Sequence, residues 1–134
     1  MNDLRWQQRL QNFNKAIKRL YEGVDRVSQT PNDLLLQAGL IQSFEFTFEL
    51  GWKLLKDYLY SQGFTDKTPK EVIRRAFAVQ IIQEGEIWLE MLQERNETSH
   101  IYDETISKRI SKNIIEKYYQ VLKHSQTFFI GKVK

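Results

Sequence analysis

The stretch QERNETSHIYDE, residues 93–104, contains the side chains of this sequence best suited to proton-transfer chemistry. It holds Arg95, Tyr102 and His100, which is one of only two histidines. A guanidinium is a permanent planar donor to phosphate oxygens, and an imidazole exchanges protons near neutral pH. The chain has no Gly-rich phosphate loop and no Cys/His zinc spacing, so we expect neither a cofactor nor a metal. The trio would suit metal-free attack of a ribose 2′-hydroxyl on the adjacent phosphate, a reaction that only RNA can undergo.

The spacing of these residues constrains the local structure. On a continuous helix, Arg95 would share a face with Ser99 and Tyr102 and diverge from His100 by about 140°. Because the intervening residues are poor helix formers, we expect the helix to end near Glu97 and to leave His100 and Tyr102 on a turn beside Arg95. Such a turn would bring guanidinium, imidazole and phenol into one pocket. The spacing also fits a structural role, with Arg95 paired to a glutamate, His100 capping a helix and Tyr102 half-buried.

Helical periodicity extends along most of the chain. Two prolines and six glycines among 134 residues indicate long, uninterrupted elements. No segment alternates with the period of a strand, which predicts an all-α fold. We expect an antiparallel up-and-down four-helix bundle with an additional short helix, in a single domain of residues 1–134. The apolar spacing places helices at about residues 3–27, 31–61, 69–79, from the mid-80s to about 97, and 103–128.

Short segments mark the helix ends. TPND (residues 30–33) and TPKE (residues 68–71) both offer a threonine N-cap, a proline at the first helical position and an acidic residue at the third. We therefore expect Thr30 and Thr68 to cap helices. Gly63 is expected to end the second helix in a left-handed conformation, and Asp103 to cap the last one.

Composition excludes several classes of protein. The chain has no cysteine, which rules out disulfides and thiolate chemistry. Its polar N-terminal segment predicts no signal peptide, and no run of 18 apolar residues would form a transmembrane helix. These features predict a cytoplasmic protein with no membrane partner.

The charge is modest overall and uneven along the chain. The formal net charge is +3, too small to indicate nucleic-acid binding by itself. From Ser107 onward, however, only Glu116 opposes a set of basic residues. This segment predicts either contact with a phosphate backbone or acidic partner, or a solvated helix face. Its basic residues are Lys108, Arg109, Lys112, Lys117, Lys123, Lys132 and Lys134.

A second stretch, QSFEFTFELGWKLLKDYL (residues 42–59), combines charge with many aromatic residues. Glu45, Glu49 and Lys53 are four residues apart on one helix face. They fit an exposed ladder of charges or, alternatively, a polar strip that faces a pocket or a subunit interface. The aromatic residues surround more than one face of the helix, so some must be exposed or covered by another chain, which favours a homodimer. They are Phe44, Phe46, Phe48 and Trp52.

The two stretches together resemble a known family. RNETSHIYDE is similar to the R-x-x-x-x-H-x-Y signature of HepT-type proteins of the HEPN superfamily. QSFEFTFELGWKLLKDYL resembles the second-helix block of the same group, often labelled nucleotidyltransferase substrate-binding proteins. The likeness covers nearly the whole chain in length, helix order and position of both blocks.

The resemblance implies a function. It implies a dimeric ribonuclease toxin that acts without metal on tRNA or mRNA and is paired with a minimal nucleotidyltransferase antitoxin. Arg95 would stabilise the phosphorane, His100 would be the general acid and base, and Asn96 would position one of them. Tyr102 would accept AMP from the nucleotidyltransferase, which silences the toxin. Four further residues would lie at the possible edge of the cleft: Glu45, Glu49, Lys53 and Ser99.

Two other functions remain open. The chain would also fit a non-catalytic subunit that holds nucleotide or substrate for its nucleotidyltransferase, with Arg95 gripping a triphosphate. A purely structural bundle is the third possibility. His100 discriminates between the first two, because only proton transfer requires an imidazole.

Overall fold

The computed structural model describes residues 3–133, and every regular element within that range is helical. Six α-helices occur in chain order, with a 3₁₀ turn at Thr98–His100 and a π-helical segment at Ile114–Tyr118. The all-α prediction is confirmed. The helices are α1 (Asp3–Gln29), α2 (Leu34–Ser61), α3 (Pro69–Ala78), α4 (Gly85–Arg95), α5 (Glu104–Asn113) and α6 (Tyr119–Ile130).

The capping prediction was wrong for α2. Asp33, rather than Thr30, is the N-cap, and its Oδ1 accepts the N–H of Leu36 at 3.0 Å. The backbone N–H of Thr30 still donates to the carbonyls of Arg26 and Val27 at the end of α1. Because Thr30 is engaged in ending one helix, the next begins three residues later, and Pro31 lies in the connection rather than in α2.

The other predicted helix ends are confirmed. Thr68 accepts the N–H of Glu71, and the Glu71 carboxylate accepts the N–H of Thr68, each at 3.2 Å, which forms a capping box at the start of α3. Gly63 follows α2 with a φ of 98°, a left-handed conformation that favours glycine. Asp103 caps α5 through the N–H groups of Thr105 and Ile106.

Cross-helix contacts define the up-and-down order. Trp6 and Tyr58 pack edge to face near one end of α1 and α2, whereas Gly23 approaches Leu40 near the other end, so the two helices are antiparallel. In the same way α4 runs antiparallel to α2. The short α3 joins α2 to α4, and α5 continues through the π-helical segment into α6 as the fourth long element. This is the predicted bundle of four main helices with a shorter fifth.

The core is rich in aromatic side chains. Phe13, Phe44, Phe48, Trp88 and Tyr118 are fully buried where the long helices meet. A side chain at Gly51 would lie 3.1 Å from both Phe13 and Trp88, so glycine lets α1 and α4 approach α2 closely. Some apolar residues of the predicted stripes are nevertheless exposed. Tyr21 is 54% exposed and Leu34 is 42% exposed, because each lies at the rim of its stripe.

The last long helix contains an irregularity that its sequence pattern explains. The inward positions Ile106, Ile110, Ile114, Tyr118 and Leu122 are four residues apart, so each step overshoots a 3.6-residue turn by about 40°. The wide π turn reduces this drift, and the four later positions are fully buried whereas Ile106 is half-buried.

Within residues 3–133, none of the helices combines the length and the apolar character needed to cross a membrane.

Candidate functional site

The end of α4 and the turn that follows it carry the predicted catalytic residues. Helix α4 ends at Arg95, and a 3₁₀ turn covers Thr98–His100 before Asp103 starts α5. The expectation that the helix ends between Arg95 and His100 is confirmed. The chain bends because the N–H groups of Asn96 and Glu97 close tight turns on Gln93 and Glu94 instead of extending the helix.

Arg95 is held by groups of α2. Its Nη1 donates to Glu49 Oε1 at 2.5 Å, and its guanidinium carbon lies 5.8 Å from the centroid of the buried Phe48 ring. The other oxygen of Glu49 lies 3.5 Å from Lys53 Nζ. Glu49 is thus shared by two cations, and most donors of the Arg95 guanidinium remain available, because its side chain is 28% exposed.

The turn is tied to α2 through a second glutamate. The buried Thr98 hydroxyl donates to Glu45 Oε2 at 2.6 Å and also lies 2.8 Å from the Arg95 carbonyl. Glu49 therefore holds Arg95 and Glu45 holds Thr98, so both glutamates fasten the same segment to α2. The sequence left open whether these glutamates form an exposed ladder or a polar strip that faces a pocket or an interface. Both bond to another helix segment rather than standing free, which favours the strip, and Glu49–Lys53 is the only ladder pair among the described residues.

His100 and Tyr102 project from the exposed side of the turn. Their ring centroids are 6.1 Å apart with an interplanar angle of 68°, and Tyr102 is 83% exposed. Of the structural alternative, the pairing of Arg95 with a glutamate is therefore observed, and the half-buried tyrosine is not. Asn96 and Ser99 are also on this segment, and Ser99 is exposed.

A groove between α1 and α2 opens beside Arg95. We call it the α1–α2 groove, and its volume is about 850 Å³. Arg95 lines it, whereas neither His100 nor Tyr102 does, so a single chain does not place all three groups in one pocket as the sequence had suggested. Among its lining residues are Lys15, Arg19, Glu45, Phe46, Glu49 and Arg95.

Comparison with known proteins assigns this chain to a family. Residues 8–129 match the family model described as nucleotidyltransferase substrate binding protein like. The chain belongs to this family, which is HepT-like and part of the HEPN superfamily. The match covers both the second-helix block and the turn that carries Arg95 and His100.

A curated relative agrees with this assignment, and a solved structure agrees with the fold. A protein of Haemophilus influenzae (strain ATCC 51907 / DSM 11121 / KW20 / Rd) named probable ribonuclease HepT is 36% identical over 74 residues, which are 52% of this chain and 51% of the relative. The chain thus matches about half the length of that curated relative. A crystal structure of a protein from Thermus thermophilus superposes with a TM-score of 0.76 and 29% identity, covering 86% of this chain and 96% of the other.

In this HepT-like protein, the far side of the turn is fastened to α5. Arg109 Nη2 donates to Glu97 at 2.8 Å and to Glu94 at 3.1 Å. Hydrogen bonding to Glu97, together with the nearby Glu94 charge, raises the pKa of Arg109. Asn113 donates to the same buried Glu94 at 2.7 Å. The segment from Arg95 to Thr98 is therefore held between α2 and α5.

A buried tyrosine reinforces this anchoring. The Tyr118 hydroxyl lies 2.9 Å from Glu94 and 3.0 Å from Glu90. Burial, followed by the bonds to these carboxylates, raises the pKa of Tyr118 far above its ordinary value, so the hydroxyl stays protonated and donating. Lys117 lies 2.5 Å from Glu90, and its hydrogen bond lowers the pKa of that carboxyl.

These contacts change the interpretation of the basic C-terminal segment. Of its cations, Arg109 and Lys117 are paired with glutamates of α4 and of the turn after it. Lys134 lies outside the described residues. Two of the seven basic residues therefore neutralise these glutamates, although their own side chains remain 40–44% exposed.

Sequence reasoning missed several residues of the site. Lys15 and Arg19 line the groove from α1, and Thr98 carries the bond to Glu45. The signal for the first two was available: they are one helical turn apart, outside the apolar stripe of α1. No sequence pattern indicated Thr98, because its partner is 53 residues away.

Proposed function

We propose that this protein is a metal-independent endoribonuclease that acts as a homodimer and as the toxin of a toxin–antitoxin pair. The observation that carries the proposal is Arg95, which is clamped by Glu49 and Phe48 at the edge of an open groove, with His100 on the adjoining exposed turn. A positioned guanidinium and an accessible imidazole are the two groups that RNA transesterification needs. The family membership and the name of the Haemophilus influenzae relative support the same activity.

The proposed reaction requires neither water nor a metal ion. His100 takes the proton of the ribose 2′-hydroxyl, the 2′-oxygen forms a bond to phosphorus, and the bond from phosphorus to the 5′-oxygen breaks. The proton is returned to the departing 5′-oxygen, so the products are a 2′,3′-cyclic phosphate and a 5′-hydroxyl. Arg95 stabilises the charge on the equatorial oxygens of the phosphorane, and Asn96 positions these groups.

The homodimer is part of the proposal. In one chain, Arg95 faces the α1–α2 groove while His100 projects from the exposed side of the turn. A two-fold axis near the turn would bring the two copies of the motif together. Side chains of both protomers could then contact the same phosphate.

Incubation with RNA and with DNA of the same sequence tests the proposed ribonuclease activity. We expect the purified dimer to cut a single-stranded RNA in the presence of a metal chelator and to leave DNA of the same sequence intact, because DNA lacks the attacking hydroxyl. The cleavage products should carry cyclic phosphate ends, which mass spectrometry would identify. Cleavage of both polymers, or cleavage that the chelator abolishes, would refute the mechanism.

We also propose that Tyr102 is the silencing site. Its 83% exposure lets the phenolic oxygen enter the active site of another protein. That oxygen would attack the α-phosphorus of ATP; a new O–P bond forms, pyrophosphate leaves and the phenol proton passes to solvent. The added AMP would place a negative phosphodiester and a bulky nucleoside next to the His100 ring, whose centroid is 6.1 Å from that of Tyr102, where the RNA backbone must enter.

A tyrosine substitution tests the silencing step. After incubation with the neighbouring minimal nucleotidyltransferase and ATP, we expect the wild-type mass to increase in units of AMP and its ribonuclease activity to fall. Tyr102→Phe should retain its mass and its activity. Tyr60→Phe is the matched control, because Tyr60 is also exposed but lies at the end of α2. An unmodified wild type, or a modified Tyr102→Phe variant, would exclude Tyr102 as the acceptor.

The alternative function is a subunit that holds nucleotide or substrate for the nucleotidyltransferase. The groove of about 850 Å³ beside Arg95 is large enough for a nucleotide, and the family description refers to substrate binding. This function predicts nucleotide binding without RNA cleavage and no requirement for His100.

A further inference from the structure

The α1–α2 groove contains two cations that the catalytic proposal does not use. Lys15 and Arg19 are exposed and one helical turn apart, about 6 Å along the axis of α1. Among the side chains of residues 4–133, neither has a carboxylate within 4.0 Å. Their charges are therefore available to a ligand, in contrast to Arg109 and Lys117, which are paired with glutamates.

The groove also contains an exposed aromatic ring. Phe46 is 63% exposed on α2, although its neighbours Phe44 and Phe48 are fully buried. An exposed ring beside unpaired cations is the combination with which proteins bind single-stranded nucleic acid: bases stack on the ring while the cations follow the backbone.

We infer that the α1–α2 groove binds the nucleotides of single-stranded RNA next to the cleaved linkage. Lys15 and Arg19 contact backbone phosphates, Phe46 stacks a base, and Arg95 at the edge of the groove receives the reacting phosphate. This inference rests on the proposed ribonuclease function. It places the RNA path on α1 rather than on the basic C-terminal segment, for which the sequence had left phosphate contact as one of the alternatives.

Electrostatics favour RNA over a second copy of the chain as the occupant. In a two-fold interface centred on the groove, Lys15 and Arg19 of each copy would approach the same cations of the other, which is unfavourable. The acidic residues of the groove would not offset this repulsion. Glu49 already has two cationic partners, and Glu45 already accepts a hydrogen bond from Thr98.

A pair of double variants tests the inference. Lys15→Gln/Arg19→Gln removes two charges from the groove. Lys108→Gln/Lys112→Gln removes two charges with the same four-residue spacing from exposed positions of α5, away from the groove. Binding of a fluorescent single-stranded RNA would be measured over a range of salt concentrations, with every protein carrying His100→Ala so that the RNA stays intact.

We expect the groove variant to bind about twentyfold more weakly near 0.1 M salt and to reduce the slope of log K against log salt by about 1.4, since each phosphate contact to a single strand contributes about 0.7. The α5 variant should match the parent. Phe46→Leu should also weaken binding while Phe46→Tyr preserves it, because leucine retains apolar area but cannot stack.

The possible results separate the two proposals. If the two double variants showed the same slope of log K against log salt, and both still cleaved RNA when His100 was present, only the groove assignment would be overturned. A groove variant that becomes monomeric while wild type is dimeric would also overturn it, by showing that Lys15 and Arg19 belong to the subunit interface. Absence of RNA binding and cleavage in wild type would overturn both proposals.

Discussion

Replacing His100 with alanine is expected to reduce RNA cleavage by about a hundredfold to ten-thousandfold, the usual range for loss of a positioned acid–base group. No other imidazole lies on this turn, and the remaining groups cannot take and return a proton near neutral pH as readily. Initial cleavage rates on a labelled RNA would measure the loss. Expression of the wild type alone should arrest growth, and expression of His100→Ala should not.

The fold should tolerate this change. His100 is exposed, and its ring makes an edge contact with the exposed Tyr102. The variant should therefore elute as the same dimer and unfold at the same temperature as wild type, so that lost activity reflects chemistry rather than misfolding.

The second histidine provides the matched control. His124 is also exposed, and its Nδ1 lies 2.6 Å from Glu84, so His124→Ala removes an imidazole and one exposed hydrogen bond. We expect it to cleave RNA at the wild-type rate. If His100→Ala were equally active, the ribonuclease mechanism would fail and the nucleotide-binding subunit would become the better description.

The fold was largely predictable from the sequence because its signals are local. The apolar stripe of α1, the capping box at Thr68 and the glycine after α2 each act within one or two helical turns, and the structure contains all three. Where two local signals competed, prediction failed. Thr30 and Asp33 are both good N-caps, and the choice depended on Thr30 being engaged with the end of α1.

The candidate site was predictable only in part, because its geometry depends on contacts distant in sequence. The pattern proposed Arg95, His100 and Tyr102 as site residues, which stays a prediction, and it correctly placed the end of a helix between Arg95 and His100. It did not assign Glu49 to Arg95 or Glu45 to Thr98, pairs separated by 46 and 53 residues. The π turn likewise depends on contacts distant in sequence. The spacing of the isoleucines indicates that a correction is needed along the helix, but the position of the π turn depends on packing around Tyr118.

Arg95→Ala is expected to lower cleavage by about a hundredfold to a thousandfold, since it removes the donor that stabilises charge on the phosphorane. Arg95→Lys should restore only part of that loss, because an ammonium retains the charge but cannot form the planar, two-pronged contact to phosphate oxygens. Initial rates with saturating RNA would show the effect as a lower kcat, with a smaller change in RNA affinity.

Arg75 is a close structural counterpart and therefore the appropriate control. Its Nε donates to Asp66 at 2.9 Å, and its guanidinium carbon lies 4.6 Å from the Phe64 ring centroid, so it shares both the ion pair and the aromatic contact of Arg95. Each substitution removes one partly exposed ion pair, and we expect each to change stability by about 1 kcal/mol or less. Only Arg95 of the two lies on the groove, so Arg75→Ala should cleave RNA normally. Equal activities for the two alanine variants would mean that Arg95, like Arg75, has only a structural contact and takes no part in the reaction.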